Sequence, residues 1–325
     1  MRSSFLIGSA VLSFVLATVA IAADVDWSDP AVAAKEGNKQ YGITALVDIN
    51  KKTGVPKKVA IGSFQVQFTM RTQDTDSAGS HYWVEFDDDA YQTITDALYD
   101  QFVASMTAHG YEVAAKEAVL AAPGYALLEG DLEPVHKGKK ARFAASGMKL
   151  HKTIVGGGLG TQNLQTMPKL NADLGTDSVL VVRANLGVID IAKVAGVKKS
   201  KGVYPCLCNV QSNQGASGQF GSIDEYPALS VTWMHGMHEG GQMPGGGRTI
   251  YNALGNSYVM FPGSIPLLYV DNELVQMKKF NVFGNKYGAD ADVLVDSSLS
   301  LFDAGLYLTW SQWDAELAKK AAKLE

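Results

Sequence analysis

The chain has 325 residues, 46% of them apolar and 19% charged, which is ordinary globular composition and excludes a disordered chain. Its formal net charge is −5, or −6 without Arg2 (−5 minus 1), so nucleic acid and anionic membrane are poor partners. Basic residues cluster only locally, at Lys57-Lys58, Lys137 to Arg142 and Lys198 to Lys201, and these runs read as solvated loops.

The first 22 residues have the form of a cleavable secretory signal. Arg2 supplies the positive start, and Phe5 to Val19 is an apolar run shorter than the roughly 20 residues that cross a bilayer. Ala20-Ile21-Ala22 then presents small residues to a signal peptidase, with Ala23 next. No Cys follows to carry a lipid anchor, and no later stretch predicts a transmembrane helix, so the expectation is an exported chain in the periplasm or outside the cell. Membrane association, peripheral to the outer membrane, would then come through partners.

Residues 23–56 are polar and predict an N-terminal extension with one short strand at Ile43 to Ile49. Lys58 to Met70 alternates as a strand, with Val59 and Ile61 in one phase and Phe64, Val66 and Phe68 in the other. The phase change at Gly62-Ser63 predicts a bulge. Asp74 to Ser80 is a turn-rich break. Asp87-Asp88-Asp89 then marks a helix start, followed by Tyr91, Ile94, Leu98, Phe102 and Met106 at helical spacing and a stop at Gly110. Tyr111-Glu112-Val113 begins another strand.

Further on, residues 161–174 predict a helix kinked or restarted at Pro168. Gly175-Thr176-Asp177 turns the chain into a β-branched strand, Ser178 to Ile191. Ala195 to Tyr226 reads as a long loop, Pro227 to Trp233 as a strand, and Leu308 to Leu324 as a closing helix. The pattern predicts an α/β fold: a mixed sheet with strand–helix–strand units and long Gly-rich loop insertions, in one domain over 57–325.

Four constellations could carry chemistry. Gly156 to Gly160 resembles a dinucleotide fingerprint, but Thr161 stands where the last glycine belongs, so it reads as a turn before a helix. Met234, His235, Met237, His238 and Met243 are the side-chain types that ligate copper, and Cys206 and Cys208 could add thiolates. The two cysteines equally allow a strained disulfide, an intermolecular pair or buried thiols. The carboxylates Asp87 to Asp89, Asp224-Glu225 and Asp290/Asp292 are candidates for acid–base work, although helix capping explains the first group. No nucleophile elbow occurs. His81, His136 and His151 stand isolated, and His109 serves the end of its helix.

Lys58-Val59-Ala60-Ile61, the helix words Ile94 to Leu98, Gly110 to Val113, and Leu174 to Val182 with its Gly-x-Asp turn occur in a telling order. Together they resemble the periplasmic α/β domain of the curli secretion channel and its lipoprotein relatives. The resemblance covers 58–190 and the closing helix, and implies a non-enzymatic envelope protein that docks or forms homo-oligomers. The leading expectation is therefore an exported bacterial envelope protein acting by binding or assembly, without a cofactor. A periplasmic copper-binding protein and a secreted hydrolase with a scattered site are the alternatives.

Overall fold

The computed structural model describes residues 55–69, 71–73, 81–84, 86–137, 140–151, 162–189, 204–207, 229–235, 258–259, 268–269, 278–279, 285–287 and 291–322. The expected leader and the strand at Ile43 to Ile49 lie outside these residues.

Two long parallel strands, β1 (Lys58–Thr69) and β7 (Ser178–Ile189), form the centre of a mixed sheet. Between them in sequence come β2 (Arg71–Gln73), β3 (His81–Val84), helix α1 (Asp88–Ala108), β4 (Glu112–Val113), the short helices α2 (Lys116–Ala121) and α3 (Pro123–Ala126), the hairpin β5 (Val135–Lys137) and β6 (Lys140–Ala144), and α4 (Gln162–Leu174). After β7 follow β8 (Tyr204–Leu207), β9 (Leu229–His235), β10 (Tyr258–Val259), β11 (Leu268–Tyr269), β12 (Lys278–Lys279), β13 (Asn285–Tyr287) and α5 (Ala291–Ala321). The main sheet runs β10-β9-β7-β1-β6-β5, with β4 added to β1 and the β8–β11 pair added to β7. A small second sheet has the order β12-β13-β3-β2. The α/β class with a mixed sheet is what the sequence predicts.

The bulge falls where the alternation changes phase. Ile61 pairs with Leu180 and Ser63 with Val181, leaving Gly62 as the extra residue. That insertion lets Ile61 and Phe64 enter the same core although they are three residues apart. A Cβ at Gly62 would stand 2.6 Å from Val179 Cγ1, so the bulge also needs the missing side chain.

α1 starts and stops on local signals. Asp87 caps it by accepting the Ala90 amide at 2.9 Å, and Asp88 and Asp89 place negative charge in its first turn. At the other end His109 Nδ1 meets the Ser105 carbonyl at 2.9 Å, and Gly110 turns the chain at φ +83°. Its buried face packs on the first face of the sheet beside α5: Phe64 meets Tyr99 edge-on at 5.5 Å and Phe302 at 6.1 Å.

The predicted Gly-x-Asp turn ties the two central strands together at their starts. Gly175 adopts φ +58°, Thr176 Oγ1 donates to Asn171 Oδ1 at 2.8 Å, and Asp177 Oδ2 accepts the amides of Lys57 and Lys58 at 2.9 and 2.8 Å. The register of β1 against β7 is thus set by a carboxylate–backbone clamp.

Four expectations change. Residues 195–226 are not all loop, because Tyr204–Leu207 pairs antiparallel with Leu186 to Ile189. Of the basic run 137–142, Lys137 ends β5, Lys140 and Arg142 belong to β6, and Arg142 is half-buried instead of solvated. α4 continues as a single helix through Pro168, whose missing bond to the Leu164 carbonyl is offset by burial of Met167 and Leu170 against the sheet. α5 begins 17 residues before the predicted start at Leu308. Its first half buries small and hydroxylated residues, Ser297, Ser298, Ala304 and Gly305, which make a weak helical stripe. At Gly305 a Cβ would meet Leu207 Cδ2 of β8 at 2.7 Å and Leu229 Cδ2 of β9 at 3.2 Å. Among the described residues no helix is long and apolar enough to cross a membrane.

Candidate functional site on the second face of the sheet

The second face of the sheet has two unlike halves. Over the first halves of β1 and β7, Ala60, Val179 and Val181 pack under Val119, Tyr125, Met167 and Leu170 from α2, α3 and α4. Beyond the bulge the side chains on this face become polar: Ser63, Gln65 and Gln67 on β1, then Arg183 and Asn185 on β7. Register aligns them in rungs. Gln65 pairs with Arg183, and Gln67 lies between Asn185 on one side and Arg142 of β6 on the other.

These are not surface residues. Ser63, Gln65 and Gln67 are 0% exposed and Asn185 is 1% exposed. Polar groups so placed are ordinarily hydrogen-bonded. Gln65 Nε2 donates to Ser63 Oγ at 2.9 Å, and Arg142 Nε donates to Gln67 Oε1 at 3.0 Å. The second bond fixes the Gln67 amide, because a guanidinium can only donate and must face the oxygen. Gln67 Nε2 therefore points away from Arg142, and it has no hydrogen-bond partner.

His151 closes the opposite end of this strip. It is 2% exposed, and its Nδ1 meets the Glu129 carbonyl at 2.9 Å. Burial pushes its pKa below 6.5, the positive charges of Lys149 and Arg183 push the same way, and the backbone groups of Glu129 and Gly62 oppose them. A carbonyl can only accept, so Nδ1 carries a proton and donates to Glu129. The unfolded chain takes up a proton near its ordinary value, so stability is complete above about pH 6.5 and falls as pH drops towards the folded pKa. Urea unfolding between about pH 5 and 7 should show this loss in the native chain and a shallower one in His151→Gln. Equal slopes in both would remove His151 as the cause.

The sequence candidates take other places. Met234 and His235 end β9 opposite Val179 and Ser178, whereas Cys206 lies opposite Gly187. Eight residues of β7 separate these rungs, about 26 Å, too far for one ion to draw on both. Met237, His238, Met243, Cys208, Gly156 to Gly160, Asp224, Glu225 and Asp290 lie outside the described residues. Among those described, no group of three or more His, Cys, Asp or Glu side chains is arranged to hold a metal. Asp87 to Asp89 serve the start of α1, and His136 Nε2 sits 3.2 Å from Asp88 Oδ2 in a largely exposed pair of small energetic weight. His81 belongs to β3. His109 ends α1 as predicted, and it also stacks on Trp310 at 4.4 Å.

The polar strip itself was not among the sequence candidates. Gln65 and Gln67 alternate with Phe64, Val66 and Phe68, which imitates the solvent face of a half-buried strand. The signal that could have exposed it is Arg183 and Asn185, set in the middle of an otherwise apolar, β-branched run.

Comparison of the chain with protein-family models, curated proteins and solved structures gives no match.

Proposed function

We propose that the protein is an exported, non-catalytic component of the bacterial envelope that acts by binding or assembly. The observation that carries the binding half is the buried polar strip. Its residues lie side by side on two adjacent parallel strands, from the bulge in β1 onwards. One of its polar atoms, Gln67 Nε2, is held inside the protein without a partner. An unsatisfied buried donor or acceptor costs about 1–3 kcal/mol, a cost that a bound molecule would remove. Support for export comes from the leader-like segment Met1 to Ala23.

Cell fractionation, N-terminal sequencing and sedimentation of the purified chain test this reading together. The expected result is an extracytoplasmic protein starting at Ala23 that sediments as a defined oligomer. A chain starting at Met1 in the cytoplasm would overturn export. A monomer throughout the micromolar range would overturn assembly.

A further inference from the structure

We propose that the polar strip binds an oxyanion, a carboxylate or phosphate group, at Gln67 with Arg142 and Arg183 beside it. This rests on the binding role proposed above and names the class of ligand.

Three features lead to an acceptor rather than a donor or an apolar group. The atom lacking a partner is the amide nitrogen of Gln67, which can only donate. Its orientation is imposed, since Arg142 Nε occupies the amide oxygen at 3.0 Å. The charged residues that register places around it are guanidinium groups: Arg142 directly across on β6, and Arg183 one rung back on β7, within diagonal reach of a long side chain. Asn185, directly across on β7, adds a further amide.

The two side-chain charges that act on His151, at the other end of the strip, are Lys149 and Arg183, both positive. The one carboxylate of α4 is engaged elsewhere: Asp173 accepts the Gly124 amide at 2.6 Å and faces Lys169 at 3.8 Å. An oxyanion at Gln67 Nε2 would complete the amide beside the Arg142 guanidinium. There, charge-assisted hydrogen bonds are stronger than neutral ones, and guanidinium geometry matches a carboxylate or phosphate.

The test uses the full mature chain with succinate, inorganic phosphate and the neutral analogue succinamide, read by thermal unfolding and titration calorimetry. At least one of the two anions should raise Tm and bind, and succinamide should do neither. Preference between succinate and phosphate then identifies the source of the oxyanion. Gln67→Glu keeps the shape of the side chain and pairs with Arg142, so the chain should fold, but its carboxylate repels the ligand and affinity should fall at least about tenfold. Arg183→Met should weaken binding in the same direction. Binding that survives Gln67→Glu unchanged would overturn the site. Absence of binding by either anion would overturn the ligand class; if the chain is still recovered outside the cytoplasm as an oligomer, the envelope role stands without it.

Discussion

Trp313→Ala is expected to lower the unfolding free energy by about 3–5 kcal/mol, the range for deleting a large buried aromatic. Trp313 is fully buried and stacks on Trp233 at 4.3 Å with the rings 11° apart. Its indole nitrogen donates to the Tyr111 hydroxyl at 2.6 Å. Burial raises the Tyr111 pKa to about 12, so the hydroxyl stays neutral over the whole working range. Tyr111 in turn packs on Trp233 at 5.2 Å, so one side chain of α5 holds the end of the α1–β4 connection and the middle of β9. A loss of this size is a large fraction of the total stability of a typical domain. Trp313→Phe separates the contributions. It retains most of the stack but strands the buried hydroxyl, and should cost about 1–2 kcal/mol. Urea unfolding of both variants is the measurement, and a cost below 1 kcal/mol for the alanine variant would contradict this packing.

Gly124→Ala is the second large effect, about 1–3 kcal/mol from overpacking, and it should act on the opposite face of the sheet. A Cβ at Gly124 would lie 2.5 Å from the Leu170 amide nitrogen and 2.7 Å from Leu170 Cα. The obstacle is helix backbone, which cannot rotate aside, so α3 and α4 must separate. Separation would also stretch the 2.6 Å bond from the Gly124 amide to Asp173. Gly110→Ala provides the contrast. Nothing lies within 4 Å of its Cβ position, and only the positive φ opposes the substitution, which should cost about 1 kcal/mol. Hydrogen exchange should therefore quicken around α2 to α4 in the Gly124 variant and stay unchanged there in the Gly110 variant. Equal protection in the two would show that the α3–α4 contact is looser than the backbone approach implies.

The two substitutions illustrate which parts of the molecule a linear sequence reveals. α1 could be read from end to end because its signals are local: an aspartate cap, apolar residues at helical spacing, and a glycine that tolerates positive φ. The bulge in β1 was legible for the same reason, since Gly62 shifts the alternation by one residue and the register shifts with it. The Gly-x-Asp turn was visible as a turn. Its role as a clamp was not, because Lys57 and Lys58 are 120 and 119 residues away from Asp177.

Other features depend on contacts that no window of sequence contains. β8 has four residues, too short for any periodicity to be read, and it forms by pairing with the long strand β7. The first half of α5 hides behind serines and a glycine that are suited to close approach rather than to an apolar stripe. Most of all, the candidate site was decided in three dimensions. Gln65 and Gln67 have the spacing of residues facing water, and Arg183 and Asn185 interrupt an apolar strand without saying which way they face. The sequence alone determined the two central strands, the capped helix and their α/β order, because those follow from bonds and packing between near neighbours. Only the tertiary structure decided that the polar sides of both strands meet on one buried face, because burial belongs to the assembled sheet and not to either strand.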